Sequence, residues 1–338
     1  LIDPDFRSDL HRSFAKALNH SDQTVARAQL LAAGWLDALS ADEPFAVALA
    51  FRLQGETRRD AALLDDVMAY HLCRQWPEVI GDLAIAYPLA GRSSDALPGA
   101  HVVLPGHRQI GRLLWLTDLG GGSMELIELD GELVGSEVQG ADPDFNLLAL
   151  SERPRGQARQ PPGSDEAGSI WDEALAAGRL AVAHQMVAGA RKILEIALEY
   201  AQDRTQFGTP IGTFQAVKHR LAETQVAISA ANAVSLAASS TQTANGAALA
   251  KILAGRAARV AAKNCLQVFG GIGFTMEHEC HRYMRRNLVL DRLLGDPRTL
   301  ERQLGQQARA GSLRDDRIVD LHHPFRIELL ALPGATPV

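Results

Sequence analysis

A mainly α protein with a small β domain is predicted by three features of the sequence. Apolar residues recur at helical spacing through residues 1–78. From 79 to 150, Gly and Pro punctuate short apolar runs instead. From 170 to about 310 the helical spacing returns in long, alanine-rich segments, whose small side chains let helices approach closely enough to form a four-helix bundle. These shifts divide the chain into an N-terminal helical domain (1–78), a middle β domain (79–150), a linker (151–169), a C-terminal helical bundle (170–310) and a tail (311–338).

The N-terminal helices are read from their stripes. Ala26, Leu30, Leu31, Trp35, Leu36 and Leu39 form one. Asp42 or Ser40 is placed to cap the next helix, whose stripe is Ala46, Val47, Ala50 and Phe51. A third helix is expected over Ala61–Arg74, closed by Pro77. In the middle domain the runs Leu83–Pro88, Ala100–Leu104, Gly111–Leu116 and Met124–Leu129 read as strands of a small antiparallel sheet. Gly120–Gly122 marks a turn and Asp130-Gly131 a hairpin. Pro154, Pro161, Pro162 and Gly163 break the chain over 151–166. Leu180–Ala201, Phe214–Ala238, Ala247–Phe269 and about Asp296–Ala310 are expected as bundle helices. The tail, with His322-His323-Pro324, is expected to be extended.

Composition removes several function classes. The chain has 338 residues, with 34 Lys and Arg against 40 Asp and Glu, a net charge of −6, which argues against general binding to nucleic acid or anionic membranes. Aromatic residues make up 5%, too few for a base-stacking surface, whereas 46% hydrophobic content excludes a disordered chain. The three cysteines, Cys73, Cys265 and Cys280, form no disulfide framework, so a reducing cytoplasm is expected. No apolar run reaches membrane-spanning length, and residues 1–9 do not read as a signal peptide.

Two stretches carry chemistry. In the first, a helix ends at Arg204, Phe207 follows, Gly208 and Pro210 turn the chain, and a helix restarts near Gln215. An Arg beside a turn can clamp a phosphate with two parallel donors; equally, it can complement the helix dipole. In the second, Gln267 precedes Gly270, Gly271 and Gly273 at the end of a long helix. Bare glycines let backbone N–H groups approach an anion; equally, they form a helix C-cap.

Together, and in this order, the stretches RTQFGTPIGTFQAVKHRLAE (Arg204–Glu223), AKILAGRAARVAAKNCLQVFGGIGFTMEHECHRYMRR (Ala250–Arg286) and the helix Gly178–Arg204 resemble the C-terminal domain of the acyl-CoA dehydrogenase family. The resemblance is close over Gly178–Arg302, weaker at Leu97–Leu104 and faint before that. It implies an N-terminal helical domain, a middle β domain and a C-terminal four-helix bundle, in tetramers that place FAD at a subunit interface. The family residues that a subunit lends to its neighbour's FAD fall on Arg204, Phe207, Gln215, Gln267 and Gly271, with Gly270 beside them. The resemblance also implies an acyl-CoA substrate and electron-transfer flavoprotein as acceptor.

The chain departs from the family at the catalytic base. Members carry a glutamate at one of two places, and these fall here on Leu294 and Gly178. Neither residue can move a proton. The first half of the middle domain also reads as truncated: after Ile85–Asp95 the chain goes directly to Leu97–Leu104, without the family's flavin-facing segments. The half-site a subunit builds for its own flavin is thus degraded, and the half it lends is kept. The chain therefore resembles the small, non-catalytic subunit of the family's bacterial α2β2 enzymes, known in steroid side-chain degradation. In that reading FAD is bound mainly by a homologous catalytic partner, and the isolated chain is inactive. The alternatives are a self-sufficient homomeric dehydrogenase with a relocated carboxylate, Glu277 or Asp291, and a scaffold that has lost the cofactor.

Other residues receive plainer readings. Arg179 matches a family arginine near the substrate, and is either an acyl-CoA contact or a structural one. Arg285, Arg286 and Arg292 could contact CoA phosphates but are read as a solvated face, and Arg256 and Arg259 as salt-bridge partners in the bundle. Glu277, His278, Cys280 and His281 cluster, but no second ligand group of matching spacing appears, so no metal is expected.

Overall fold

The computed structural model describes residues 4–20, 23–72, 83–88, 101–104, 110–116, 124–138, 140–159, 167–311 and 313. The N-terminal helices are α1 (Pro4–Leu18), α2 (Gln23–Ala32), α3 (Trp35–Ala41), α4 (Glu43–Thr57) and α5 (Leu63–Leu72). The stripe from Ala26 to Leu39 is broken between α2 and α3 at Gly34, which takes a left-handed φ of 86°. Asp42, not Ser40, caps α4: its carboxylate accepts from the Phe45 N–H at 3.2 Å. Residues 73–82, with Cys73 and Pro77, lie outside the described residues.

The strands are β1 (Leu83–Pro88), β2 (His101–Val103), β3 (Arg112–Leu116), β4 (Met124–Leu129), β5 (Ser136–Glu137), β6 (Leu148–Leu150) and β7 (Gly156–Arg159). They form one sheet in the order β5-β6-β2-β1-β3-β4-β7. Two expectations are corrected here. The sheet is not wholly antiparallel, because β1 pairs with β3 in parallel. Gly156–Arg159, inside the stretch expected to be a linker, adds an edge strand against β4. Glycine is needed at 156 because a Cβ would sit 2.1 Å from the Glu128 carbonyl oxygen. The region in which the flavin-facing segments are expected to be missing continues into residues 89–100, outside the described residues.

Alternation along β1 sends Leu83, Ile85 and Tyr87 into the main core, and Ala84 and Ala86 into a smaller cluster with Leu113, Trp115 and Ile127 on the other face. Buried acids lock α5 to this sheet and to the other helices. Asp65 of α5 accepts from the Tyr87 hydroxyl at 2.5 Å and from the Ile85 N–H at 3.3 Å. Asp66 takes both guanidinium arms of Arg27, at 2.6 and 2.9 Å, and the Trp35 indole N–H at 3.1 Å.

The remaining helices are α6 (Ala167–Asp203), α7 (Gln215–Thr241), α8 (Ala244–Phe269), α9 (Cys280–Leu290) and α10 (Pro297–Ala310), with a hairpin of β8 (Thr205–Gln206) and β9 (Thr209–Pro210) between α6 and α7. α6, at 37 residues, is the central post: α4 and α5 pack on one side, and α7, α8 and α9 on the others. At Gly55 of α4 an added Cβ would lie 2.3 Å from the Gln185 carbonyl oxygen, so this glycine sets the crossing with α6. The tail beyond 313 is outside the described residues. Among the described residues, no helix is long and apolar enough to cross a membrane.

One buried group gives the fold a pH dependence. His184 of α6 lies 3.0 Å from the Ser239 hydroxyl, and burial, helped by Arg52, pushes its imidazole down to about 4. The folded state holds it neutral, whereas the unfolded chain protonates it near pH 6.5. Its contribution is therefore present above the unfolded value and is lost as pH falls through the folded one. Stability against urea should fall as pH drops from about 6.5 to about 4, by up to about 3 kcal/mol from this group. His184→Asn should flatten that slope; an unchanged slope would assign it elsewhere.

Candidate functional site

Leu294 and Gly178, the two positions at which the sequence resemblance places the family carboxylate, meet in space. Leu294 follows the end of α9 and is 2% exposed. Gly178 lies in α6. A Cβ built on Gly178 would be 2.8 Å from Leu294 Cδ1 and 2.9 Å from Met68 Sδ. The positions 116 residues apart thus face one small volume, and Leu294 and Met68 fill it. Leu294 has a left-handed φ of 59°, a strained conformation for a leucine. Hydrogen bonds to neighbouring carbonyls hold the turn. Arg179 Nε donates to the Leu294 carbonyl at 3.1 Å, and the buried Lys251 ammonium donates to the carbonyls of Asp291 (3.0 Å) and Gly295 (2.8 Å). Burial lowers both cations, Arg179 to about 10 and Lys251 to about 8.

Arg179 therefore ties α6 to the turn after α9. Lys251 was missed by sequence reasoning; its signal was a lone charge inside the alanine-rich face of α8. Asp291 is not a free carboxylate. Arg259 holds one oxygen at 2.6 Å, and the other lies against α8, 2.1 Å from where a Cβ of Gly255 would be. Burial raises its carboxyl group, opposed by Lys251 and Arg259. Glu277 is exposed, before the start of α9. The 11 residues of that helix, roughly 16 Å at 1.5 Å each, separate it from Leu294. Arg286, expected on a solvated face, is buried and paired with Asp142 at 2.5 Å.

The other sequence-selected residues gather at one end of the bundle. The Tyr200 ring meets Phe269 at 5.5 Å and His278 at 6.2 Å, joining the C-terminal ends of α6 and α8. α7 and α8 run antiparallel, so Gln215 lies at that same end, with Arg204, Phe207, Gln267, Gly270 and Gly271. Arg204, Gln215 and Gln267 are exposed. Phe207 and Gly208 form a two-residue hairpin turn with φ of 52° and 81°. A phenylalanine there is strained, and the residue is 95% exposed. Cβ atoms added at Gly270 or Gly271 would meet no atom within 4 Å, so this glycine turn opens onto free space. No side chain caps the N-terminus of α7. Among the described residues, no group of three His, Cys, Asp or Glu could hold a metal ion.

A helical domain, a sheet and a long-helix bundle built on one central helix define the acyl-CoA dehydrogenase fold. The described chain superimposes on the Tcur3481–Tcur3483 steroid ACAD G363A variant with a TM-score of 0.70 at 20% identity, covering 91% of this chain and 97% of that one. It superimposes on the ChsE4–ChsE5 complex from Mycobacterium tuberculosis with a TM-score of 0.68 at 18% identity, covering 91% and 98%. Residues 169–309 match the family model for the acyl-CoA dehydrogenase C-terminal domain. Over 123 residues the chain is 42% identical to acyl-CoA dehydrogenase IpdE2 of M. tuberculosis, a match spanning 36% of this chain and 39% of that protein's length. The likeness to that family thus rests on the C-terminal helical domain, and the matched part spans less than half the length of the curated IpdE2 relatives.

Proposed function

We propose that this chain is the non-catalytic component of a heteromeric, FAD-dependent acyl-CoA dehydrogenase. The observation that carries the proposal is the contact between Gly178 and Leu294. Both family base positions lack a carboxylate, and apolar atoms fill the space between them. A proton beside a thioester carbonyl is removed only by a base within hydrogen-bond reach, so the base belongs to a homologous partner chain.

The chain's own part is at the other end of α6. FAD supplies hydride acceptance when bound, and Arg204, Phe207, Gln215, Gln267, Gly270 and Gly271 would hold its ADP portion for the partner. These residues fit that group. The Arg204 guanidinium and the open Gly270–Gly271 backbone suit phosphate oxygens, and the uncapped α7 N-terminus favours an anion. The strained, solvent-facing Phe207 is supported by little of its own chain, which suits a surface covered in an assembly.

The substrate class is an acyl-CoA thioester. A bulky, steroid-like acyl group is favoured, since one fold neighbour is named a steroid ACAD and another is a two-component complex. Electron-transfer flavoprotein is the acceptor, the assembly is α2β2, and the compartment is the cytoplasm.

Co-expression with a homologous dehydrogenase that carries the glutamate tests this. The isolated chain should show no acyl-CoA oxidation, and the mixed complex should be yellow and active. Arg204→Ala in this chain should weaken flavin retention by the complex, by roughly tenfold or more, without dissolving it. Stoichiometric FAD and turnover in the isolated chain would refute the reading. A complex whose flavin ignores Arg204→Ala would favour a bare scaffold.

A further inference from the structure

A second cluster of cations lies where the N-terminal helices, the sheet and α9 meet. α4 ends at Thr57, and Arg58 takes a left-handed φ of 57° to turn the chain out of the helix. Across from it, Pro143–Phe145 forms a 3-10 turn closed by Asn146, also left-handed at 54°. Arg282 of α9 completes the wall. Thr57, Arg58, Arg59, Asp144, Asn146 and Arg282 line an open cavity of about 590 Å³ with Pro143. The volume suits a small ligand.

The charges in it are unbalanced. Three guanidinium groups face one carboxylate, Asp144, whose nearest approach is 4.0 Å, to Arg58. Among the described residues, neither Arg59 nor Arg282 has an ion-pair partner. Arg58 Nε is buried and has no hydrogen-bond partner among them either. Its position is nevertheless fixed: the guanidinium lies over the Tyr283 ring, 5.0 Å from the centroid, and Arg286 Nη1 donates to the Arg58 carbonyl at 3.2 Å. Arg286 itself is neutralised by Asp142 and adds no free charge. In a chain of net charge −6, a local excess of two positive charges is not a general surface property.

The geometry points to a site for the phosphoryl group of a small anionic ligand, distinct from the Arg204 end of the bundle. Guanidinium forks match phosphate oxygens in pairs, and a dianion neutralises the excess that a monocarboxylate would leave. The Asn146 amide and Thr57 hydroxyl add neutral groups on the rim. The ligand is either free pyrophosphate or phosphate, or the same group carried on a nucleotide.

Calorimetric titration of the full chain with inorganic pyrophosphate, orthophosphate and ADP tests this. Pyrophosphate should bind saturably, and more weakly as salt rises. The double variant Arg59→Ala/Arg282→Ala should lose on the order of a hundredfold in affinity, about tenfold for each guanidinium. Asp144→Asn removes the opposing carboxylate and should tighten binding. Arg204→Ala removes the proposed flavin contacts, the other candidate anion site, so the comparisons are made in that background, where saturable pyrophosphate binding should persist. ADP binding above pyrophosphate assigns the site to a nucleotide, and equal binding assigns it to the free anion. No saturable binding of any of the three would overturn the proposal. So would a double variant that binds normally, Asp144→Asn binding that weakens, or binding lost in Arg204→Ala.

Discussion

Leu294→Glu lowers the stability of the chain by about 3 kcal/mol or more, and gives the isolated protein no dehydrogenase activity. The residue is 2% exposed and packs against Gly178 and Met68. A carboxylate there loses its water. The neighbouring cations offer little compensation, because Arg179 and Lys251 already donate to the carbonyls of Leu294, Asp291 and Gly295. Lys251 is also lowered to about 8 by burial, so its charge is itself held at a cost. Leu294→Met keeps volume and polarity and should cost less than about 1.5 kcal/mol. Urea unfolding of the two variants measures the difference. If Leu294→Glu unfolds like the parent and oxidises an acyl-CoA with added FAD, the filled pocket is not the obstacle that the proposed non-catalytic role requires.

That prediction uses a contact that the sequence half revealed. Leu294 and Gly178 stand out as residues without a carboxylate, but their contact and the part played by Met68 depend on three helices folding together. The long helices were legible because alanine and helical spacing act locally, and α6, α7 and α8 begin and end within a few residues of their signals apart from the start of α6, which reaches back to Ala167. Strand partnership was not. A hairpin such as Asp130-Gly131 announces an antiparallel neighbour, whereas the parallel pairing of β1 with β3 leaves no local mark. Gly156–Arg159 reads as a breaker-rich linker because prolines flank it, and edge strands tolerate such surroundings. Charge was the hardest to read. Arg285-Arg286 looks like a solvated pair, yet one of the two is buried, since its partner Asp142 is 144 residues away. Lys251 was overlooked for the same reason: its acceptors are backbone carbonyls 40 and 44 residues on.

Arg286→Ala should be the most damaging single truncation where α4, α9 and the β5–β6 connection meet, costing about 3–5 kcal/mol. The side chains of Arg286 and Asp142 are 5% and 3% exposed, so removing the cation strands a buried carboxylate. Two further contacts go with it: the guanidinium sits 4.0 Å over the Phe145 ring and holds the Arg58 carbonyl at 3.2 Å. Arg286→Lys keeps the charge, but a single ammonium cannot occupy the planar position between Asp142, Phe145 and the Arg58 carbonyl, so most of the loss should remain. Asp142→Asn/Arg286→Met removes both charges and should recover part of it, because the stranded ion is the larger cost. Chemical denaturation of the single and double variants gives the coupling directly. A coupling near zero would mean that the pair does not hold α9 to the β5–β6 connection. A large one would also predict that Arg286→Ala weakens phosphate binding at the neighbouring cavity, since Arg58 is positioned through it.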